Sequence, residues 1–273
     1  MILSGELINS TEAVLVTFIC LYLGIFTPPL IAGKSTSRLT VLMAAASGIM
    51  CWSFLDLMND AALLGVKQGF SGGLAHVFIA GVFALALLVL FWLDRLSTNT
   101  GRRKGRGLMV TFGTALLVAL GVGFHSLGEG VEIGSLIGYS YALAGASSNL
   151  ITAIGGLGSG VAYVVHKFLE GFVIGVFAAA IKTRLVRGLG LGLLAGIPTL
   201  IGLTVALIVP VDSTVFFAGG AAAVIYIEYK LVPNLISQPY RRGGGAILYL
   251  LFFLLGFYLM YLAGLFHSYT TIF

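Results

Sequence analysis

The stretch at 246–267, AILYLLFFLLGFYLMYLAGLFH, contains no Asp, Glu, Lys or Arg residue. A transmembrane helix needs about 20 mostly apolar residues, so this stretch is long enough to cross a bilayer. Similar stretches recur along the chain, but no ten-residue alternating pattern recurs as a membrane β-barrel would need. The sequence therefore predicts an all-α polytopic membrane protein, 1–273, with one transmembrane domain of eight helices. The predicted spans are 12–32, 40–64, 73–93, 108–135, 150–181, 190–209, 214–235 and 246–267.

The composition excludes an ordinary soluble domain. Of the 273 residues, 59% are hydrophobic and 9% are charged, whereas soluble domains carry about 25% charged residues. The formal net charge of +5 does not indicate nucleic-acid binding, because the basic residues lie in short loops between apolar spans. We therefore expect the lipid bilayer, and no nucleic acid, as a partner. Cys20 and Cys51 lie inside predicted spans, so we interpret them as packing residues and expect no disulfide.

The N-terminus is not predicted to be a secretory signal, because it carries Glu6 and Glu12 and no basic segment before its first apolar run.

The basic residues predict the orientation of the spans. Cytoplasmic loops are enriched in Lys and Arg, and here most basic residues follow odd-numbered spans. We therefore predict a multi-pass protein of the cell membrane with both termini outside. The loops are too short for a soluble catalytic domain, so the function is expected among the helices. The residues on the predicted cytoplasmic side are Lys34, Arg38, Arg95, Arg102, Arg103, Lys104, Arg106, Lys182, Arg184, Arg187, Lys230, Arg241 and Arg242; Lys67 is on the other side.

Two polar motifs interrupt the apolar sequence of spans 4 and 5. HSLGEGVEIG at 125–134 and HKFLEGFVIG at 166–175 both read H-x-x-x-E-G-x-x-I-G. His125 with Glu129, and His166 with Glu170, are spaced i and i+4 and therefore share one face of each helix. Glu132 lies on the same face as the first pair. Because the two spans are predicted to run in opposite directions, their middle sections can meet.

Two imidazoles and two carboxylates predict a metal site. A charged group near the bilayer centre costs on the order of 3 kcal/mol, so buried carboxylates need compensation. The set forms an N₂O₂ shell of charge −2, which a divalent cation would neutralise. Such a shell suits zinc, and also iron, cobalt, nickel or manganese. One such pair alone is explained by a structural hydrogen bond, whereas two pairs in consecutive spans favour a metal. Gly130 and Gly171 are expected to let spans 4 and 5 approach closely.

At these motifs the chain resembles the ZIP family of divalent-metal transporters, in its prokaryotic type. The resemblance implies eight spans with outside termini and a helical bundle in which spans 4 and 5 are central. It also implies that His125, Glu129, His166 and Glu170 are the metal ligands. The implied function is a permease that carries Zn²⁺, or else Fe²⁺, Mn²⁺ or Co²⁺, into the cytoplasm. The metal is then a transported substrate and not a cofactor, and no enzymatic activity is expected.

The chain departs from the family pattern where a second ion would bind. Ser126 follows the first histidine in place of Asn, and Lys167 follows the second histidine where some members have an acidic ligand. The Glu-Pro of span 6 in some members reads Ile197-Pro198 here. These changes imply a single-ion site in which the Lys167 ammonium replaces a second cation. We expect it to pair with Glu132 or Glu228.

The motifs of the ZIP family often contain a proline, but Gly128 and Leu169 stand at those positions here. The sequence therefore does not predict whether the two helices are kinked at the motifs.

Other polar residues are predicted along a cation pathway. Asp56 and Asp60 lie toward the outer end of span 2, where they would attract incoming cations. Glu228 lies in the inner half of span 7, where it would serve as an exit ligand. His76 and His267 are isolated near the outer ends of their spans.

Two other functions remain as alternatives. One is an intramembrane metal-dependent hydrolase that activates a water; the chain has no H-E-x-x-H pair, and Ser126 is its one candidate nucleophile. The other is a proton-coupled transporter of a different solute, with Glu129, Glu170 and Lys167 as a relay. The preferred ion, proton coupling and assembly into a homodimer stay open.

Overall fold

The computed structural model describes residues 2–62, 73–99, 110–144, 156–209, 211–236 and 245–268, with side chains described for 8–62, 73–96, 110–138, 156–209, 211–236 and 245–264. These ranges contain eight helices and no strand, which confirms the all-α prediction. Each helix includes a segment long and apolar enough to cross a membrane. The helices are α1 (Ile2–Ala32), α2 (Thr36–Ala62), α3 (Gly73–Asn99), α4 (Phe112–Ala144), α5 (Leu157–Ala180), α6 (Leu185–Ile208), α7 (Thr214–Ile236) and α8 (Gly245–Ser268).

The helix ends differ most from the predicted spans in three places. α1 begins at Ile2 instead of 12, α4 continues to Ala144 instead of 135, and α5 begins at Leu157 instead of 150. Hydropathy marks only the part of a helix that matches the bilayer core, whereas backbone hydrogen bonding continues through flanking polar residues. The span ends predicted at 63–64 and 108–109 lie outside the described residues. So do Lys67, the basic loop 102–106, Arg241 and Arg242, the stretch 145–155 and the side chain of His267.

The helices pack in close pairs that glycines make possible. A Cβ added at Gly130 of α4 would strike the Thr199 carbonyl of α6, and a Cβ at Gly171 of α5 would strike the Leu21 carbonyl of α1. The prediction that these two glycines join spans 4 and 5 is therefore wrong. Successive residues turn by about 100° on a helix, so the glycine after each glutamate faces a different neighbour from the glutamate itself.

These pairs assemble into two groups of helices. The first group is α1, α4, α5 and α6, and the second is α2, α3, α7 and α8; α4 contacts the second group chiefly through α7, and α5 contacts it through α8 and α2. Between α4 and α7 glycines face side chains instead of backbone, since Gly220 of α7 lies against the His125 Cβ and Gly121 of α4 against the Ala223 Cβ. α4 and α7 are therefore less tightly interlocked than the helix pairs within the first group.

A partly buried ion pair joins α3 to α7 within the second group. Lys230 Nζ lies 2.6 Å from Asp94 Oδ2, and the Tyr226 hydroxyl donates a hydrogen bond of 3.0 Å to Asp94 Oδ1. All polar atoms named here are paired, so we interpret this cluster as structural.

The Gly130→Ala variant should unfold at a lower temperature than the parent protein. The added methyl group has to push α6 away at the Thr199 carbonyl, and such overpacking costs about 1–3 kcal/mol. Gly81→Ala is the matched control, because a Cβ at Gly81 has nothing within 4 Å. Thermal unfolding of the detergent-solubilised chains measures the difference, and equal midpoints for the two variants would contradict the packing described here.

Candidate metal centre

The two H-x-x-x-E pairs face each other between α4 and α5. His125 Nε2 lies 3.0 Å from Glu170 Oε1, and His166 Nε2 lies 3.2 Å from Glu129 Oε1. The pairs within each helix are slightly longer, at 3.5 Å for His125–Glu129 and 3.4 Å for His166–Glu170. Since the crosswise pairs are the shorter ones, each histidine sits level with the glutamate of the other helix, as two antiparallel helices require.

Five of the six separations among these four atoms are close to those of a tetrahedral metal site. For bonds of about 2.0–2.1 Å, tetrahedral ligand atoms lie roughly 3.3–3.4 Å apart. The four pairs above lie 3.0–3.5 Å apart, the two Nε2 atoms are 3.5 Å apart, and all four atoms lie within 4.8 Å of one another. An ion can therefore be placed at the centre with little movement of the side chains.

The carboxylate oxygens that face the centre have no donor aligned for a regular hydrogen bond. Glu129 Oε1 and Glu170 Oε1 are buried, and although the imidazole Nε2 atoms lie 3.0–3.5 Å away, no described residue gives either oxygen a hydrogen bond of regular geometry. Their residues are 1% and 2% exposed. A buried oxygen without a donor is costly, and a divalent cation at the centre would satisfy both oxygens together. The donor set thus fits a bound metal ion.

Lys167 holds the other oxygen of each carboxylate. Its ammonium contacts Glu129 Oε2, lies 2.6 Å from Glu170 Oε2 and donates a hydrogen bond of 3.0 Å to Ser126 Oγ. Three donors thus meet three acceptors. The ammonium takes these partners instead of the predicted Glu132 or Glu228. Lys167 is three residues before Glu170 on α5. The crossing of α4 and α5 brings Glu129 next to the same ammonium.

The charge at the centre therefore differs from the predicted −2. With neutral imidazoles, the two carboxylates and the Lys167 ammonium leave a charge of −1. A divalent cation would bring the cluster to +1. The cluster still attracts a divalent cation, but less strongly than the two carboxylates would without the ammonium.

A narrow cavity borders the centre on the side of the second helix group. It is on the scale of a single water molecule, and its walls are mostly apolar. The His125 side chain is 12% exposed, more than the other three ligand candidates. The residues that line the cavity are Met50, Ser53, Leu57, Gly121, Val122, His125, Glu170, Gly220, Ala223, Val224 and Ile227.

The remaining predicted pathway residues lie outside the group of four. Glu132 is half-buried on α4, one turn beyond Glu129. Asp56 and Asp60 are half-buried near the end of α2, and a Cβ at Gly264 of α8 would meet Asp56. His76 is exposed at the start of α3.

Glu228 lies on α7 at a distance from the centre. It is eight residues beyond Gly220, which faces His125, and this corresponds to about 12 Å along the helix axis. Its Oε2 accepts a hydrogen bond of 2.7 Å from Ser47 Oγ of α2, whereas its buried Oε1 has no hydrogen-bond partner among the described residues.

Sequence reasoning missed two residues near these groups. Tyr163 is buried one turn before Lys167, with its hydroxyl 2.5 Å from Thr17 Oγ1 and its ring centroid 6.0 Å from Lys167 Nζ. The position of Tyr163 one turn before Lys167 could have drawn attention to it in the sequence. Nothing in the sequence distinguished Ser47, the donor to Glu228, because small hydroxyl residues are common in membrane helices.

A scan of the chain against protein-family models finds no match, and a search of curated proteins finds none either. The candidate metal centre is therefore inferred from the geometry of α4 and α5.

Purified protein should bind one Zn²⁺ or Co²⁺ ion per chain. Replacing one ligand, as in Glu170→Gln or His166→Ala, should weaken binding by about a hundredfold or more, since even residues that only support ligands contribute 10–100-fold. Glu228→Gln is the matched control, because it changes a buried glutamate about 12 Å from the centre and should leave the affinity unchanged. Isothermal titration calorimetry measures both, and equal affinities for Glu170→Gln and the parent would disprove the assignment.

Proposed function

We propose that the protein is a membrane permease for divalent cations, with Zn²⁺ as its first cargo and the cluster of His125, Glu129, His166 and Glu170 as its transport site. The observation that carries the proposal is the convergence of four metal-ligand atoms within 4.8 Å on helices that can cross a membrane. His125 lies midway along the apolar segment Phe112–Gly138, so the cluster is at the depth where a transported ion needs replacement for its water shell.

The surroundings favour a transport site over a structural metal. The helices that carry the ligands are already fastened to their neighbours by the glycine contacts of α4 with α6 and α5 with α1, so the fold does not depend on a metal cross-link. The Lys167 ammonium also weakens the hold of the cluster on a cation. An ion that passes through must be held moderately, because one that is bound too tightly is not released.

The position of the cluster suits alternating access. It belongs to the first helix group, and His125 lies against α7 of the second group. If the first group rocks against the second, the cluster opens to one side of the membrane and then to the other. The glycine contacts between α4 and α7 involve side chains. Such contacts can slide more readily than the backbone contacts within the first group. The ZIP resemblance of the two motifs supports the same function.

Three further acidic residues supply an entry and an exit. Asp56 and Asp60 lie toward one end of α2, and Glu228 lies beside Ser47, near the middle of the same helix and nine residues before Asp56. With the orientation predicted from the loop charges, cations enter past the aspartates and leave past Glu228 into the cytoplasm.

Proteoliposomes that enclose a zinc-sensitive dye test the proposal. The parent protein should give saturable Zn²⁺ uptake, and Glu129→Ala should abolish it, because the variant lacks a ligand and leaves the Lys167 ammonium with one carboxylate partner. Glu12→Gln, which neutralises an exposed carboxylate of α1, should transport like the parent. Uptake by Glu129→Ala at the parent rate would overturn the proposal.

Glu228→Gln should slow uptake severalfold while the equilibrium affinity of the cluster for Zn²⁺ stays the same. The variant can keep the hydrogen bond from Ser47 Oγ but loses the negative charge next along the exit route. Initial uptake rates and calorimetric affinities of the same preparation separate the two effects. A rate equal to the parent's would remove Glu228 from the pathway.

A further inference from the structure

We propose that Lys167 is the positioning residue that sets the coordination number of the transport site and thereby its ion selectivity. By holding one oxygen of each carboxylate, Lys167 restricts Glu129 and Glu170 to one metal bond each. The site then accepts ions that are satisfied by four ligands, such as Zn²⁺ and Co²⁺, and disfavours ions that need six or more, such as Mn²⁺ and Ca²⁺. This inference depends on the proposed function, because it concerns the same cluster.

The two oxygens of each carboxylate have different partners. Both Oε2 atoms are in contact with the Lys167 ammonium, and both Oε1 atoms face the imidazole Nε2 atoms. The Lys167 side chain is 0% exposed, so the ammonium cannot turn to water. Its third contact, to Ser126 Oγ, fixes it further. Both carboxylates are thus oriented by one cation on the side away from the ligand cluster.

Binding of a metal through both oxygens of one carboxylate would cost free energy. A carboxylate that binds a metal through both oxygens must either turn Oε2 away from the Lys167 ammonium or share that oxygen between the two cations. The first leaves a buried ammonium without that partner, which is strongly unfavourable, and the second brings a dication next to the ammonium, whose charge repels it. The cluster therefore offers two nitrogens and two oxygens. Zn²⁺ is satisfied by four such ligands, whereas Mn²⁺ favours octahedral oxygen sites and Ca²⁺ takes six to eight oxygens, often from bidentate carboxylates.

The same contacts exclude a second ion. A neighbouring cation would need the Oε2 atoms of Glu129 and Glu170 as bridging ligands. The ammonium already occupies that position, and its charge repels another dication at short range. Lys167 therefore makes the site a single-ion site for a tetrahedral cation.

The visible absorption of bound Co²⁺ tests the inference on the full chain in detergent. Tetrahedral Co²⁺ absorbs much more strongly than six-coordinate Co²⁺, so the parent protein should show intense bands. In Lys167→Met both carboxylates are free to use two oxygens, so the bands should weaken. The preference for Zn²⁺ over Mn²⁺ in competition should fall by about tenfold or more, because the four-ligand restriction is lost. Lys230→Met, which removes a partly buried lysine at its pair with Asp94, should match the parent in both measurements.

X-ray absorption of the Zn²⁺-loaded parent protein gives a test that needs no variant. It should show four nitrogen or oxygen neighbours at about 2.0–2.1 Å. Five or six neighbours would overturn the inference, and so would a Lys167→Met variant with the spectrum and Zn²⁺/Mn²⁺ preference of the parent. In either case metal binding by the parent would leave the proposed function standing. If the parent binds neither Zn²⁺ nor Co²⁺, the proposed function fails together with this inference.

Discussion

The contact of the Lys167 ammonium with Glu129 and Glu170 is the interaction on which the centre depends. Two carboxylates at membrane depth cost on the order of 3 kcal/mol each when unpaired, and they repel each other. One ammonium between them offsets much of that cost and draws α4 and α5 together at one level. It also leaves one oxygen of each carboxylate facing the two imidazoles instead of the ammonium. The ion pairs that stabilise the buried charges thus also orient the four ligand atoms toward one point, where a cation would bind.

The helix period connects this centre to the rest of the fold. In each motif the glutamate points to the centre and the next residue, Gly130 or Gly171, turns to a neighbouring helix. The sequence Glu-Gly therefore serves two contacts at once, with the candidate metal centre on one side and a close backbone approach to α6 or α1 on the other. These close approaches lie within the first helix group, whereas α4 meets α7 of the second group through side chains and α5 also contacts α8 and α2.

The repeated H-x-x-x-E pattern predicted which four side chains meet, because a spacing of four residues fixes a helix face and antiparallel spans fix the level. Long apolar runs likewise predicted eight helices. The partners of Lys167, Gly130 and Gly171 were not predictable, since they depend on how α4 and α5 are rotated and on which helices flank them. The ten-residue N-terminal extension of α1 before 12 was missed because those residues are not apolar enough to mark a span. Hydropathy carries no signal for a helix outside the bilayer core.

The most direct measurement is an anomalous difference map, recorded at the zinc absorption edge, from crystals of the Zn²⁺-loaded protein. The account predicts one strong peak in the membrane-spanning region, about 2.0–2.2 Å from one nitrogen of His125 and His166 and from one oxygen of Glu129 and Glu170, with the Lys167 ammonium still on the other carboxylate oxygens. A map with no peak between α4 and α5, or with its strongest peak bound elsewhere on the chain, would contradict it.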